Sequence, residues 1–293
     1  MVALMNPVDT SAHASQAPRR RLLRKFLRHR MGVAGLVIVL LYIVVALFAP
    51  WLAPWGPDTV DLRNVAKPPS LAHPFGTDQF GRDVLSRTIF GAQTSLVLGF
   101  CVVGIATLFG MLFGVLAGYY RGRVERAVIF MTDVMMTLPS IITALAVVTI
   151  LGPGLGTTII AIAIASLPRL VRVARGAVLQ VREMDYIQSS RSLGATDRAI
   201  VLRHVVPNAL SPVIVQASLL MAEAVLVAAG LGFLGVGVKP PLAEWGQMLA
   251  ESRTLLRSAP HISIFPGLAI IFLVLGLNLL GDGLRDTLDV RTR

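Results

Sequence analysis

Cysteine is all but absent. Cys101 is the single one in 293 residues, it lies in an apolar run, and no internal disulfide can form. The five histidines, His13, His29, His73, His204 and His261, are scattered, and none stands at a ligand spacing from Cys, Asp or Glu, so no metal centre is expected. There is no G-x-S-x-G and no other nucleophile-and-base pattern. Glycine is never followed by lysine, which removes a Walker-type phosphate loop and with it ATP hydrolysis by this chain. The sequence therefore predicts a non-enzyme that needs no cofactor. Acids are scarce too, 16 Asp and Glu against 27 Lys and Arg, for a formal charge of +11. Such an excess can signal nucleic acid, but basic residues beside apolar spans have a simpler account in topology and lipid headgroups. Membrane lipid, and not nucleic acid, is the expected partner.

What is abundant is apolar: 55% of residues are hydrophobic and the mean hydropathy is +0.72. That is too apolar for a soluble domain, and the chain is too long for a single anchor. The apolar runs are long and do not alternate, which argues for helices and against a barrel. The predicted fold class is an all-α polytopic membrane protein with six transmembrane helices. Residues 1–18 read as a disordered cytosolic tail, and the basic run Arg19 to Arg30 completes an N-terminal segment over 1–30. Residues 31–53 form the first span, read as an uncleaved signal anchor because its apolar part exceeds that of a signal peptide; Trp51 and Trp55 suit the outer interface.

Residues 54–93 are polar and turn-rich and make an outer loop. Within it, HPFGTDQFGRDVLSRTIFGAQTSL predicts turns at Gly76 and Gly81 and a short amphipathic helix ended by Gly91. The remaining core, 94–293, holds five more spans at about 94–120, 128–151, 157–167 with 170–173 as an extension, 209–236 and 262–280. An even number of spans puts both termini on one side. With the N-terminus inside, 20 of the 27 Lys and Arg fall in inner segments, which favours a cytosolic N-terminus and C-terminus. Between the last two spans, Trp245, Met248, Leu249, Leu255 and Leu256 recur at helical spacing with Glu244, Glu251 and Arg253 opposite. This predicts a helix lying flat at the outer surface, either sealing the bundle or docking an external protein.

One stretch is charged, helical in pattern and placed inside by the charge bias: QVREMDYIQSSRSLGATDRAIVLRHVVPN, from Gln180 to Asn208. Val181, Met184 and Ile187 set a helical stripe, Gly194 stops it, and Thr196 can cap a second short helix that Pro207 ends or turns into the next span. Such a loop could simply join two spans. The string YIQSSRSLGATDRAIVLRHVVPNALSPVIV, however, resembles the loop of ABC-importer permeases in which Glu-Ala-Ala, three residues, Gly, nine residues and Ile-x-Leu-Pro follow in order. Gln188, Ser189 and Ser190 take the Glu-Ala-Ala positions, Gly194 the glycine, His204 and Val206 the Ile and Leu, and Pro207 the proline. Gln188 lacks the family carboxylate, so an ion pair made at that position elsewhere does not carry over.

The string around Gly76 and the C-terminal NLLGDGLRDTLDVRTR are similar to the C-type permease subunit of dipeptide and oligopeptide importers, and the likeness covers nearly all of residues 20–293. It implies a type I ABC importer permease fold in a bacterial cytoplasmic membrane. A coupling loop over 176–208 would meet the ATPase through Tyr186, Gln188, Ser189, Ser190, Leu193, Gly194, Ala195, His204 and Pro207. It further implies a second homologous permease subunit, two cytosolic ATP-binding subunits and an extracytoplasmic substrate-binding protein that selects among dipeptides, longer peptides, glutathione, opines or nickel chelates. Peptides are the favoured solute. The competing classes are a gradient-driven secondary transporter or channel, and a membrane scaffold without transport.

Two acids lie in or near spans. Asp133 is expected at the inner end, paired with Arg126 or a neighbouring helix. Glu223, amid SLLMAEAVLVAAG, is a candidate for the solute pathway or for a structural hydrogen bond to another helix, since a buried carboxylate is costly unless paired, hydrated or neutral. No single span contains a pair of ionisable residues at facing helical spacing. Gly110, Gly114 and Gly118 recur every four residues and predict close intrachain helix packing.

Overall fold

A computed structural model describes residues 24–288. The tail read over 1–18, the start of the basic run at Arg19, and Arg291 and Arg293 lie outside these residues. The spans are helices α1 (Arg30–Leu47), α2 (Val84–Tyr120), the pair α3 (Gly122–Met136) and α4 (Ser140–Leu151), and α5 (Leu155–Arg182). After them come the short α6 (Asp185–Ser192), α7 (Asp197–Phe233), the short α8 (Trp245–Glu251) and α9 (His261–Leu288). Among the described residues there is no β-strand beyond one isolated bridge, Thr77 to Asp83.

Close backbone approach sets the packing. A Cβ on Gly110 would lie 2.6 Å from the Leu170 Cβ, and one on Gly114 2.4 Å from the Ala174 Cβ. The glycine ridge of α2 thus seats α5, as its four-residue spacing predicts. Gly35 on α1 meets the α9 backbone in the same way, with Leu280 N 2.4 Å from its would-be Cβ. One apolar cluster joins α1, α2, α7, α8 and α9 through Val39, Leu96, Val225, Trp245 and Leu273. A second joins α2, α4, α5 and α7 through Leu98, Val148, Ile162 and Leu220.

Three boundaries differ from expectation. Gly91 does not end a helix: α2 runs unbroken from Val84, because Asp83 caps it (Ser86 N to Asp83 Oδ2, 2.7 Å) and the Trp245 indole fills the space a Gly91 side chain would occupy. The run 128–151 is not one rod but is bent by 90° between α3 and α4. Pro139 has no N–H to give, and Leu138 before it is pushed out of the helical region. The fourth span continues through buried Pro168 to Arg182, so Arg169, Arg172 and Arg175 belong to a helix and not to an inner loop. Pro207 stands in the first turn of the α-helical stretch Val206–Phe233, in keeping with the reading that it opens the next helix. A π-turn over Val201–Val205, closed by Val206 N on the Val201 carbonyl, takes up the missing proline donor within α7.

The segment between α1 and α2 folds into a buried polar knot. Asp78 accepts from Phe80 N and Arg82 N, both at 2.9 Å, and from Arg82 Nε at 2.6 Å; Arg82 reaches on to Glu251 at 2.6 Å. Gly76 and Gly81 have φ of +76° and +74°, and a Cβ on Gly81 would sit 1.8 Å from the Asp61 carbonyl oxygen, so glycine is required at that turn. Glu244 does not face outward as expected. It is 2% exposed and caps α8 by accepting from Gly246 N and Gln247 N, each at 2.8 Å. Burial pushes its carboxyl above the usual carboxylate range, against the pull of those two donors. Trp245 donates to the Thr88 carbonyl at 2.9 Å, and Gly246 abuts Ala229, so α8 is wedged into the bundle.

Candidate functional site: the inner helix pair and the arginine ladder

The site is built on a helix that the backbone closes itself. Ala195 N bonds the Ser190 carbonyl at 3.1 Å and Gly194 N the Arg191 carbonyl at 3.0 Å, the paired bonds of a Schellman cap, with Gly194 at φ +83°. Thr196 then caps α7 through Ala199 N. The amphipathic helix is shorter than expected: Glu183 and Met184 separate it from α5, so Val181 packs as part of α5. Ile187, Ile200 and Val205 are buried beneath the turn against Val115, Tyr119, Val178 and Val181. Leu193 points out, 88% exposed.

Tyr119, at the end of α2, ties this turn to the bundle. Its hydroxyl donates to Asp197 Oδ1 at 2.5 Å and accepts from Arg191 Nη2 at 3.1 Å, while its carbonyl accepts from Arg182 Nη1 at 2.6 Å. Both guanidinium groups lie over its ring, at 5.7 and 5.8 Å from the centroid. Of the expected site residues, Tyr186 and His204 come together edge to face at 6.1 Å, and Asn208 joins them by donating to the Tyr186 hydroxyl and the His204 carbonyl. Ser189 and Ser190 serve the helix itself: the Ser189 carbonyl accepts from Leu193 N, and Ser190 Oγ donates to the Tyr186 carbonyl. Gln188 lines an opening of about 450 Å³ with Arg121, Arg182, Glu183 and Arg191. In that opening the carboxylate is Glu183, paired with Arg121 at 2.5 Å. Pro207 lies behind, in the α7 turn.

Glu223 belongs to a separate feature. On α5, Arg169, Arg172 and Arg175 stand about one turn apart, and each meets a carboxylate: Arg169 with Glu223 of α7, Arg172 with Asp133 of α3 at 2.6 Å, and Arg175 with Glu125 of α3 at 2.5 Å. These pairs run between helices, and Asp133 meets Arg172 of the neighbouring α5, the second of its two expected kinds of partner. Glu223 also accepts from Ser140 Oγ at 3.4 Å and lines a cavity of about 210 Å³ with Pro139, Ser140, Pro168 and Arg169. The three-residue arginine spacing was readable in the sequence. Its acids were not, because they come from other helices.

These elements define a class: a polytopic helical membrane protein with a polar, paired stripe among its spans and a self-capped helix pair on one end, the build of a transport permease. The chain belongs to the family of binding-protein-dependent transport system inner membrane components, which matches residues 110–293. Residues 17–69 match the N-terminal TM domain of oligopeptide transport permease C. It is 40% identical to the dipeptide transport system permease protein DppC of Alkalihalophilus pseudofirmus, over 98% of this chain and 95% of that one. It is 41% identical to the glutathione transport system permease protein GsiD of Pectobacterium atrosepticum, over 95% and 93% of the two chains. The fold is similar to the inward-facing MetNI methionine ABC transporter, with a TM-score of 0.57 at 22% identity over 69% of this chain and 97% of that one. The protein is thus a multi-span permease subunit of a bacterial ABC importer, in the inner membrane. It works with ATP-binding and substrate-binding partners, and ATPase activity resides in separate subunits.

Proposed function

We propose that this chain supplies half of the translocation pathway for peptides or related small solutes. Its partners are a second homologous permease, two cytosolic ATP-binding subunits and an extracytoplasmic binding protein. Both termini are cytosolic, so residues 176–208 face the ATPase, and Tyr186, Gln188, Ser189, Ser190, Leu193, Gly194, Ala195, His204 and Pro207 form the coupling loop. ATP-driven closure of the ATPases displaces α6, and the Tyr119 and Arg182 contacts pass that displacement to α2 and α5. The observation that carries this reading is the capped helix pair, which presents Leu193 outward while Ile187 and Ile200 hold it to the bundle. Glu223 belongs to the pathway wall, since its pair with Arg169 is partly exposed within spanning helices, where hydrocarbon is a costly neighbour. The peptide class is supported by the dipeptide and glutathione relatives.

The test is a mild-detergent pull-down of the tagged chain from its native host, with mass spectrometry and an ATPase assay on the eluate. A second permease and two copies of ATP-binding subunits per complex, with peptide uptake after reconstitution, are expected. Recovery of the chain alone, when a control importer keeps its detergent-labile partners, would refute the assembly.

A further inference from the structure

We infer that the Arg169–Glu223 pair, with Ser140 beside it, sets the charge selectivity of the pathway and favours solutes that are zwitterionic with no net charge. The inference rests on the peptide-importer reading above. It starts from balance. The chain as a whole carries a charge of +11, yet each rung of the α5 ladder pairs one arginine with one carboxylate, so this stripe is neutral.

Exposure supplies the second observation. The side chains are 51% and 28% exposed for Arg169 and Glu223, and 50% and 54% for Arg172 and Asp133. Each of these charges would cost about 2.5–3.5 kcal/mol at a hydrocarbon contact, which favours a wet setting for the pair of Arg169 and Glu223. The third is shape. The upper rung opens into the cavity of about 210 Å³ between Pro139 at the α3–α4 bend and Pro168 in α5. A solute carrying both an ammonium and a carboxylate can pair with Glu223 and Arg169 in turn as it passes, and Arg offers a carboxylate a two-pronged donor. A dipeptide with a further side-chain charge brings a third ionic group for which the neutral pair has no matching partner.

The test is uptake by the assembled importer in proteoliposomes, with its binding protein saturating, of three dipeptides: alanyl-lysine, dialanine and alanyl-glutamate. Ratios between peptides within one preparation cancel losses of assembled protein, and comparison with wild type cancels the preference of the binding protein. Glu223→Gln leaves Arg169 unbalanced and should lower the cationic-to-anionic uptake ratio about fivefold, the effect of one charge a few ångströms away in a partly wet site. Arg169→Gln should raise that ratio by a similar factor, and the double variant should return it to the wild-type value. Ser140→Asp keeps the pair and must shift the ratio in the same direction as Arg169→Gln, which preserves the test if a single variant fails to assemble. Equal loss of all three peptides, as a subunit-interface or purely structural role demands, overturns the inference, as do two single variants that shift the ratio in the same direction. Failure of the wild type to move any peptide while hydrolysing ATP refutes the peptide reading itself, and with it this inference.

Discussion

Tyr119→Phe isolates the link between the inner helix pair and the spans. The ring of Tyr119 is buried and stays in place in the variant, and its main-chain carbonyl still accepts from Arg182, so only the hydroxyl is lost. Two hydrogen bonds go with it, to Asp197 and from Arg191. Bonds to charged groups contribute about 1.5–3 kcal/mol each when buried. Here the side chains of Arg191 and Asp197 are 50% and 57% exposed, so water replaces much of what is lost. A net cost of about 1 kcal/mol follows, or about fivefold in the equilibrium between docked and undocked α6. Amide hydrogen exchange across residues 185–192 reads this directly: the variant should exchange about fivefold faster there, with α1 and α9 unchanged. In the assembled importer the same variant should transport less solute per ATP hydrolysed. Unchanged exchange over α6, or an equal rise throughout the chain, would refute the tether.

Three further outcomes follow from the same geometry. Gly194→Val should cost at least about 1–2 kcal/mol and lower the ratio of uptake to ATP hydrolysis while membrane insertion persists, because the strain lies in the left-handed backbone and not in crowding; Gly194→Asn should be close to neutral. Gly114→Leu, driven into Ala174, should lower the unfolding temperature through a loss of about 3 kcal/mol, whereas Gly176→Ala on α5, with open space around it, should raise stability by about 0.5–1 kcal/mol. For Glu244 the folded-state pKa lies above the unfolded one, so its contribution is full below the ordinary carboxylate value and is lost as pH rises through the raised value. Thermal unfolding followed against pH should show that slope in the native protein and not in Glu244→Gln.

Helical spans were legible because hydrocarbon admits few alternatives: a continuous apolar run of sufficient length must be a helix, and each of the six expected runs holds one or a bent pair. The Schellman turn was legible for an equally local reason, since Gly194 and Thr196 act on backbone groups only a few residues away. What escaped depends on distant partners. Gly91 looks like a terminator until Trp245 arrives from another part of the chain, and Glu244 looks solvent-facing until Gly232 and Ala229 enclose α8. Arg169, Arg172 and Arg175 looked like loop charge because the carboxylates they pair with come from α3 and α7, distant in sequence.

Helix α5 joins the two features that matter. Its upper part carries Arg169 beside the cavity, and its last residue, Arg182, holds the Tyr119 carbonyl on which the inner turn is hung. About 20 Å of continuous helix separates these two arginines, at the usual rise per residue. The glycine ridge of α2 fixes α5 along this stretch at Gly110, Gly114 and Gly118, so α2 and α5 have little freedom to slide past one another. Under the proposed coupling, a displacement that begins at α6 would reach Arg169 as movement of this close-packed pair of helices against α3 and α7. Those two helices carry the acids of the ladder, so the contacts that must shift when the pair moves are the same ion pairs that give the stripe its neutral charge.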